Sequence, residues 1–137
     1  MEYSTVTKWN DGFHFTTHFD GRDTEFDATA MPGPHKGVSP KTMLLSALAG
    51  CTGMDVVALL NQKFKVPFTD FSVDVNGLLT DTHPKIFHAI HIKYIIRVSE
   101  EDRDKVAQSV SLSATKYCGV QAMLNKSSEI TNEIIYL

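Results

Sequence analysis

The amino-acid sequence predicts an α+β fold that forms one domain over residues 1–137. Segments at both ends of the chain alternate apolar and polar side chains with a period of two, as strands with one buried face do. Between them lies a long apolar segment that begins like a helix. The predicted element order is βββ-α-ββ-αα-β, which groups strands together and favours antiparallel hairpins over a parallel sheet.

Six strands are predicted, three of them before the apolar segment. Residues 3–19 alternate in two phases around a turn at Asn10–Gly12, which indicates a hairpin. Within a later strand, Asn76 and Gly77 predict a bulge or bend. The most regular strand alternates apolar Ile and Tyr side chains on one face with His, Lys and Arg side chains on the other face. The strands beyond the first hairpin are predicted over residues 24–29, 69–80, 90–98 and 129–137.

The apolar segment Ser39–Phe64 is the feature around which the chain is organised. Ser39 is a favourable N-cap, and Pro40 suits the first helical position, where its missing N–H costs nothing. Apolar side chains cover most of the circumference, which is typical of a buried helix. The segment approaches the length of a membrane span, but Asp55 and two glycines interrupt it and no Trp or Tyr flanks it. We therefore expect a core helix and no membrane association.

Two further helices are predicted between the fifth and sixth strands. Ser99 and the three acidic residues after it resemble a capping box, and the acids favour a helix N-terminus. This helix should end near Lys116, because Tyr117–Gly119 interrupts its pattern. A shorter helix follows over residues 120–124, with Cys118 at or near its N-terminus.

Composition narrows the classes of function. The chain is 42% hydrophobic and 21% charged, as in an ordinary globular protein. A net charge of −3 indicates neither nucleic acid nor an anionic membrane surface as a partner. The first ten residues lack the pattern of a secretory signal, so we expect a cytoplasmic location. In that reducing compartment, Cys51 and Cys118 are expected to be catalytic, metal-binding or simply buried rather than a structural disulfide.

The two cysteines are the candidate nucleophiles, because the thiolate is a strong nucleophile once its pKa is lowered. The N-terminus of the short helix could lower the pKa of Cys118. Cys51 lies in the middle of a helix and shares a face with Asp55, whose charge would raise the pKa of a nearby thiol. Cys51 therefore has two open interpretations, a reactive thiol or an inert core residue. Asp55 likewise has two, a structural hydrogen bond or a direct chemical role. The cations that could activate Cys51 are Arg22, Lys36, Lys41, Arg97 and Lys116.

Other kinds of catalytic site find little support. His14 and His18 share a strand face but lie about 13 Å apart at strand rise, and His88 and His91 point to opposite faces. No C-x-x-C or helical H-x-x-x-H motif is present, so we expect no metal site. The sequence also lacks a G-x-S-x-G elbow and a dinucleotide-binding glycine loop. We expect no bound cofactor.

Two motifs together resemble the OsmC/Ohr family, osmotically inducible protein C and organic hydroperoxide resistance protein, and in particular its OsmC-like branch. The motifs are SPKTMLLSALAGCTGMDVV and KYCGVQAML. Chain length and element order agree with this family over essentially the whole sequence. The resemblance implies an intertwined homodimer, with two central buried helices between antiparallel sheets and each active site at the subunit interface. The small residues around Cys51 suit a close helix crossing, and they are Ala47, Ala49, Gly50 and Gly53.

The resemblance also implies the chemistry. Cys51 matches the family's peroxidatic thiol and Cys118 its resolving thiol. The Cys51 thiolate would attack a hydroperoxide, the resulting sulfenic acid would condense with Cys118, and an external dithiol would reduce the disulfide. An alternative is a stress-related binding protein of the same fold, with a hydrophobic interface pocket and little or no peroxidase activity.

The sequence departs from the family pattern in the residues that activate the thiol. Characterised peroxidases of the family carry a glutamate at the start of the central helix and an arginine in the N-terminal strand region. Lys41 or Thr42 occupies the glutamate position here, so no carboxylate remains there. Arg22 is the only arginine in the N-terminal third and is therefore the candidate activating cation.

Overall fold

The computed structural model describes all of residues 1–137 and contains two compact units, residues 1–44 and 45–137. Each unit holds one three-stranded sheet. The helices connect and accompany these strands, so the predicted α+β class is confirmed. The long helix α1, Pro40–Ala58, begins in the first unit and continues into the second.

The first unit is an antiparallel meander in the order β1-β2-β3. Gly12 and Gly21 form the two turns with φ of +50° and +80°, a backbone region that glycine enters without steric cost. The predicted hairpin and the short third strand are both present. These strands are β1 Val6–Asp11, β2 His14–Phe19 and β3 Arg22–Phe26.

The sheet of the first unit leaves several large apolar side chains exposed. Every residue of β1 is exposed. Trp9 has 64% of its surface accessible and Phe13 has 58%, while Phe15 and Phe19 are near 40%. Exposed aromatic side chains grouped on this sheet and its first turn are unusual for a monomer and are typical of a surface that contacts another molecule.

The sheet of the second unit has the order β4-β5-β6 and contains both strand directions. Strands β4 and β5 are antiparallel, whereas β5 and β6 are parallel, from the pair Ala89 and Glu129 to the pair Ile96 and Tyr136. The prediction of purely antiparallel sheets is therefore wrong for the last pair. Helical segments between β5 and β6 form a crossover, which returns the chain in the same direction. The strands are β4 Thr69–Leu79, β5 Phe87–Arg97 and β6 Glu129–Tyr136.

The predicted bulge at Asn76 and Gly77 is wrong. The β4–β5 register shifts elsewhere, between Thr69 and Ser72 and between the last two residues of β4. Gly77 instead allows a close approach, because a Cβ there would lie 2.7 Å from the ring of Phe87. Gly77 therefore allows packing against the next strand and does not interrupt the pairing of β4 with β5.

The helical segments include three turns of non-α geometry. Ser99 precedes a short 3₁₀ turn, but its side chain makes no capping hydrogen bond, so the predicted capping box is wrong. Two π-helical turns follow α1 and α2, and such turns often occur at functional sites. In chain order, the segments after α1 are the π turn Leu59–Phe64, the 3₁₀ turn Glu100–Asp102, α2 Arg103–Leu112, the π turn Ser113–Tyr117 and α3 Gly119–Leu124.

Helix α1 is buried along one stripe only, although its sequence predicted burial on all sides. Leu48 and Val56 belong to the core of the second unit, whereas Met54 is 74% exposed and Leu44 is 41% exposed. By length and composition alone, Pro40–Phe64 would also suffice to cross a bilayer, a property that it shares with core helices. The apolar face that this chain leaves uncovered is available to another molecule.

Candidate functional site

Helix α1 presents Cys51 and Asp55 on one face, because residues four apart in an α-helix lie one above the other. Thr52, next to Cys51, points into the core and is fully buried. Cys51 and Asp55 are partly exposed. The helix thus offers a thiol and a carboxylate at the edge of the core.

The second cysteine follows a change in helical geometry. The π turn Ser113–Tyr117 widens the end of α2, and the Cys118 N–H donates to the Ser113 carbonyl at 2.9 Å. Cys118 then adopts an extended backbone and becomes the N-cap of α3, where its Sγ accepts a hydrogen bond from the Gln121 N–H at 3.3 Å. The predicted position of Cys118 at the N-terminus of the short helix is confirmed.

The fold brings both thiols and the carboxylate together. The Sγ atoms of Cys51 and Cys118 and a carboxylate oxygen of Asp55 all lie within 4.8 Å of one another. Both cysteines are free thiols, and Cys118 is only 3% exposed. Since a disulfide joins two sulfurs at about 2.05 Å, a short approach of the two side chains would be needed to form one.

A chain of hydroxyl groups ends at the Asp55 carboxylate. Ser113 Oγ donates to Asp55 Oδ2 at 2.8 Å and lies 2.9 Å from Thr52 Oγ1. Thr52 Oγ1 in turn lies 2.5 Å from the Tyr94 hydroxyl. Because Ser113 gives its proton to Asp55, the chain runs from Tyr94 through Thr52 to Ser113. Three buried hydroxyls are thereby satisfied, and they fix the orientation of the carboxylate.

Burial controls the acidity of Cys118. It raises the pKa of the Cys118 thiol to about 11, and contact with the Cys51 thiol and the Asp55 charge act in the same direction. The Gln121 N–H opposes this shift but is outweighed. The expectation that the helix N-terminus would lower the pKa of Cys118 is therefore wrong. Burial destabilises the thiolate more than the hydrogen bond from one backbone N–H stabilises it. Burial also raises the pKa of Tyr94.

Two of the five candidate cations belong to the second unit and have other partners. Arg97 pairs with Asp70 at 2.9 Å, and the Lys116 ammonium lies 5.2 Å from the ring centre of Tyr117. The three remaining candidates belong to the first unit. Lys36 lies 3.9 Å from an Asp11 carboxylate oxygen, Lys41 lies in the first turn of α1, and Arg22 begins β3 opposite Phe19. The role of Arg22 stays a prediction.

Sequence reasoning missed the buried hydroxyls. Tyr94 occupies the buried phase of β5, and a buried tyrosine usually has a hydrogen-bond partner for its hydroxyl. That rule could have raised the question of a partner, but nothing in the sequence pointed to Thr52 or Ser113. The set Cys51, Asp55 and Cys118 was also missed as possible metal ligands. Cys118 lies far along the chain from the other two, so no short ligand motif joins the three residues.

Comparison with known proteins identifies relatives over almost the whole chain. A family model described as OsmC-like protein matches residues 33–133. Protein YhfA of Escherichia coli K12 is 33% identical over 127 residues, which cover 91% of each chain. A hypothetical protein from Aquifex aeolicus has the same fold, with a TM-score of 0.82, 27% identity and coverage of 100% of this chain and 99% of that one. An organic hydroperoxide resistance protein OsmC from Legionella pneumophila superposes with a TM-score of 0.68 at 17% identity, covering 97% of both chains.

Proposed function

The chain belongs to the OsmC-like protein family, and from this membership we propose that it is a thiol-dependent hydroperoxide reductase. The OsmC/Ohr family is known for hydroperoxide resistance, and one of its structural neighbours carries that description. One observation carries the proposal for this chain: both cysteine sulfurs lie within 4.8 Å of each other, although they are distant in sequence. This proximity is what a two-thiol reduction cycle requires.

The exposure of the two thiols supports their assignment to different steps. Cys51 is partly exposed and can be reached by a peroxide, whereas Cys118 is 3% exposed and lies behind it in the core. Cys51 is accordingly the attacking thiol and Cys118 the resolving thiol. The order agrees with the roles that the family resemblance implied.

The proposed reaction has three balanced steps. The Cys51 thiolate attacks one oxygen of the hydroperoxide, the O–O bond breaks, and the alkoxide takes a proton to leave as an alcohol. Cys51 is then a sulfenic acid, and Cys118 sulfur displaces its oxygen as water to form a disulfide. An external dithiol finally reduces the disulfide and is itself oxidised. Two electrons pass from the dithiol to the peroxide in each turnover.

Attack by Cys51 needs its thiolate form, which a nearby positive group would stabilise. Arg22 is the candidate, because it is the only arginine in the N-terminal third and the family resemblance places an arginine in that region. Ser113 donates to the Asp55 carboxylate and is itself held by Thr52, so the two hydroxyls fix the orientation of Asp55. These residues set the environment of Cys51 and do not themselves touch the peroxide.

We also propose that the chain works as a homodimer. The exposed aromatic side chains of the first sheet and the exposed apolar face of α1 support this assembly. Gly50 tests it directly, because it is exposed and a Cβ there would meet nothing within 4 Å in this chain. Gly50→Leu should leave a monomer folded but dissociate a dimer in which helices cross at this point. Sedimentation velocity measures the change, and an unaltered dimer would contradict this interface. Ala107→Leu, which adds a side chain of similar size at an exposed position of α2, is the control and should leave the dimer intact.

A second candidate function is binding of a hydrophobic ligand with little peroxidase activity. The observation that favours it is an apolar depression of about 420 Å³ in the first unit. Its walls include Phe13, Phe15 and Phe26, with Pro40 at one side. A depression of this size and lining is typical of a small-molecule site.

Steady-state kinetics separate the two candidates. The purified protein, supplied with excess dithiol, should consume an organic hydroperoxide at a rate proportional to protein concentration. The dithiol should be oxidised in a one-to-one ratio with the peroxide. A rate no higher than that of the dithiol alone would overturn the reductase, and a hydrophobic molecule in the mass spectrum of the native protein would then favour binding.

A further inference from the structure

We propose that Cys51, Asp55 and Cys118 together form a binding site for a thiophilic divalent cation, for which Zn²⁺ is the representative ion. Two thiol sulfurs and one carboxylate oxygen are the donor set that borderline-soft ions prefer in proteins. This inference does not depend on the proposed peroxide chemistry, because it concerns the reduced site and its affinity for a cation.

The spacing of the donor atoms suits a four-coordinate ion. With Zn–S near 2.3 Å and Zn–O near 2.0 Å, tetrahedral ligand atoms lie about 3.5 to 3.8 Å apart. The three donors here lie within 4.8 Å of one another, so closure of the site needs a contraction of about 1.3 Å or less. Cys51 and Asp55 are partly exposed, and rotation of their side chains can supply that movement.

The surroundings already hold the donors as an outer ligand shell would. Ser113 Oγ donates to Asp55 Oδ2 at 2.8 Å, and the Gln121 N–H donates to Cys118 Sγ at 3.3 Å. Hydrogen bonds of this kind orient ligands and are typical of protein metal sites. One coordination position would stay open toward the partly exposed side, where a water molecule can complete the tetrahedron.

The electrostatics of the second unit also favour a cation at this position. No lysine or arginine of this unit forms an ion pair with Asp55, and the three that do form ion pairs have other acids as partners. Those pairs are Lys93 with Glu133, Arg97 with Asp70 and Lys105 with Asp102. A divalent ion would displace the two thiol protons to solvent and would leave one negative charge on the complex, where two thiolates and a carboxylate alone would carry three. It would also occupy both sulfurs and so prevent their reaction with a hydroperoxide.

Cobalt spectroscopy tests the site without any reference to activity. The full-length reduced protein is titrated with Co²⁺ under anaerobic conditions, and the thiolate-to-cobalt charge-transfer band and the visible bands of tetrahedral Co²⁺ are recorded. We expect one ion per chain, displaced by one equivalent of Zn²⁺. Cys51→Ser and Cys118→Ser should each lose about half of the charge-transfer intensity, and Asp55→Asn should weaken binding at least about tenfold. Asp104→Asn, on the exposed side of α2, is the matched control and should change nothing.

A measurement on the unmutated chain guards against variants that fail to fold. Reversible blocking of both thiols with a small disulfide-forming reagent should abolish the cobalt spectrum, and dithiol followed by removal of the reductant should restore it. Absence of the charge-transfer band, or Co²⁺ affinity equal in wild type and Cys51→Ser, would overturn the site. Equal affinity in wild type and Asp55→Asn would overturn the three-ligand assignment.

Discussion

The two cysteines occupy opposite kinds of helix position. Cys51 lies in the middle of a long, regular helix and is partly exposed, with all backbone groups around it engaged. Cys118 lies where a helix has been interrupted, on an extended residue between a π turn and a new helix, and it is buried. The helix interior holds one sulfur at a fixed point, and the helix break brings the other sulfur to it.

This difference supports the proposed assignment of the two thiols to different steps. A buried thiol whose pKa is raised to about 11 is a poor first nucleophile but can attack a sulfur placed directly in front of it. A partly exposed thiol can meet a substrate from solution. Removal of one sulfur should therefore have a different consequence from removal of the other.

Cys51→Ser should have the largest effect. Loss of the attacking sulfur should reduce dithiol-dependent peroxide consumption to the background rate, because no other thiol in the chain is exposed to substrate. Stopped-flow or coupled assays measure the change. Turnover equal to that of wild type would contradict the assignment of Cys51 as the attacking thiol.

Cys118→Ser should retain the first step and lose the second. The variant should consume about one equivalent of hydroperoxide per chain and stop, with Cys51 trapped as a sulfenic acid that a dimedone-type reagent captures. Peptide mass spectrometry locates the adduct. If the adduct formed at no residue and the peroxide was untouched, Cys118 would be the attacking thiol.

Arg22→Ala tests the activation of Cys51 and should have an intermediate effect. Loss of a nearby positive charge shifts a thiol pKa by about one unit or more, so the second-order rate constant at neutral pH should fall about tenfold or more. Arg22→Lys should restore part of it. Lys8→Ala, an exposed cation on strand β1, is the matched control. Equal rate constants for Arg22→Ala and Lys8→Ala would contradict a role for Arg22 in the activation of Cys51.

Ser113→Ala should have the smallest effect, on stability rather than on chemistry. It removes the hydrogen bond to Asp55 and the acceptor for Thr52, which should cost about 1 to 3 kcal/mol of unfolding free energy. Ser111→Ala, exposed on α2, should cost far less. Urea denaturation compares the two, and similar midpoints would show that the hydroxyl chain contributes little.

Much of the fold could be predicted because it rests on local patterns. The alternation from Ile90 to Ile96 and the Ser39-Pro40 helix start are signals that one segment carries by itself, and both are confirmed. The parallel pairing of β6 could not be read in this way, because strand direction depends on the path of the crossover. The role of Gly77 was also predicted wrongly. A glycine in a strand can indicate either a bulge or a close contact, and here it allows close contact with Phe87.

The candidate site was predictable in its two cysteines and not in its surroundings. Motif resemblance supplied Cys51 and Cys118, and the structure brings them together. The pKa of Cys118 was predicted in the wrong direction, because burial cannot be judged from one helix terminus alone. The hydrogen bonds among Tyr94, Thr52 and Ser113 join side chains from three segments that are distant in sequence. No periodic pattern in a sequence predicts such contacts.

The most direct test of the two-thiol account follows the fate of both sulfurs after one equivalent of organic hydroperoxide. Intact-protein and peptide mass spectrometry of the reduced protein, quenched at intervals at neutral pH, resolve the dithiol, the Cys51 sulfenic acid and the disulfide. The account predicts transient oxidation at Cys51 and then a disulfide that joins Cys51 to Cys118 within one chain. Two free thiols beside unconsumed hydroperoxide would contradict it.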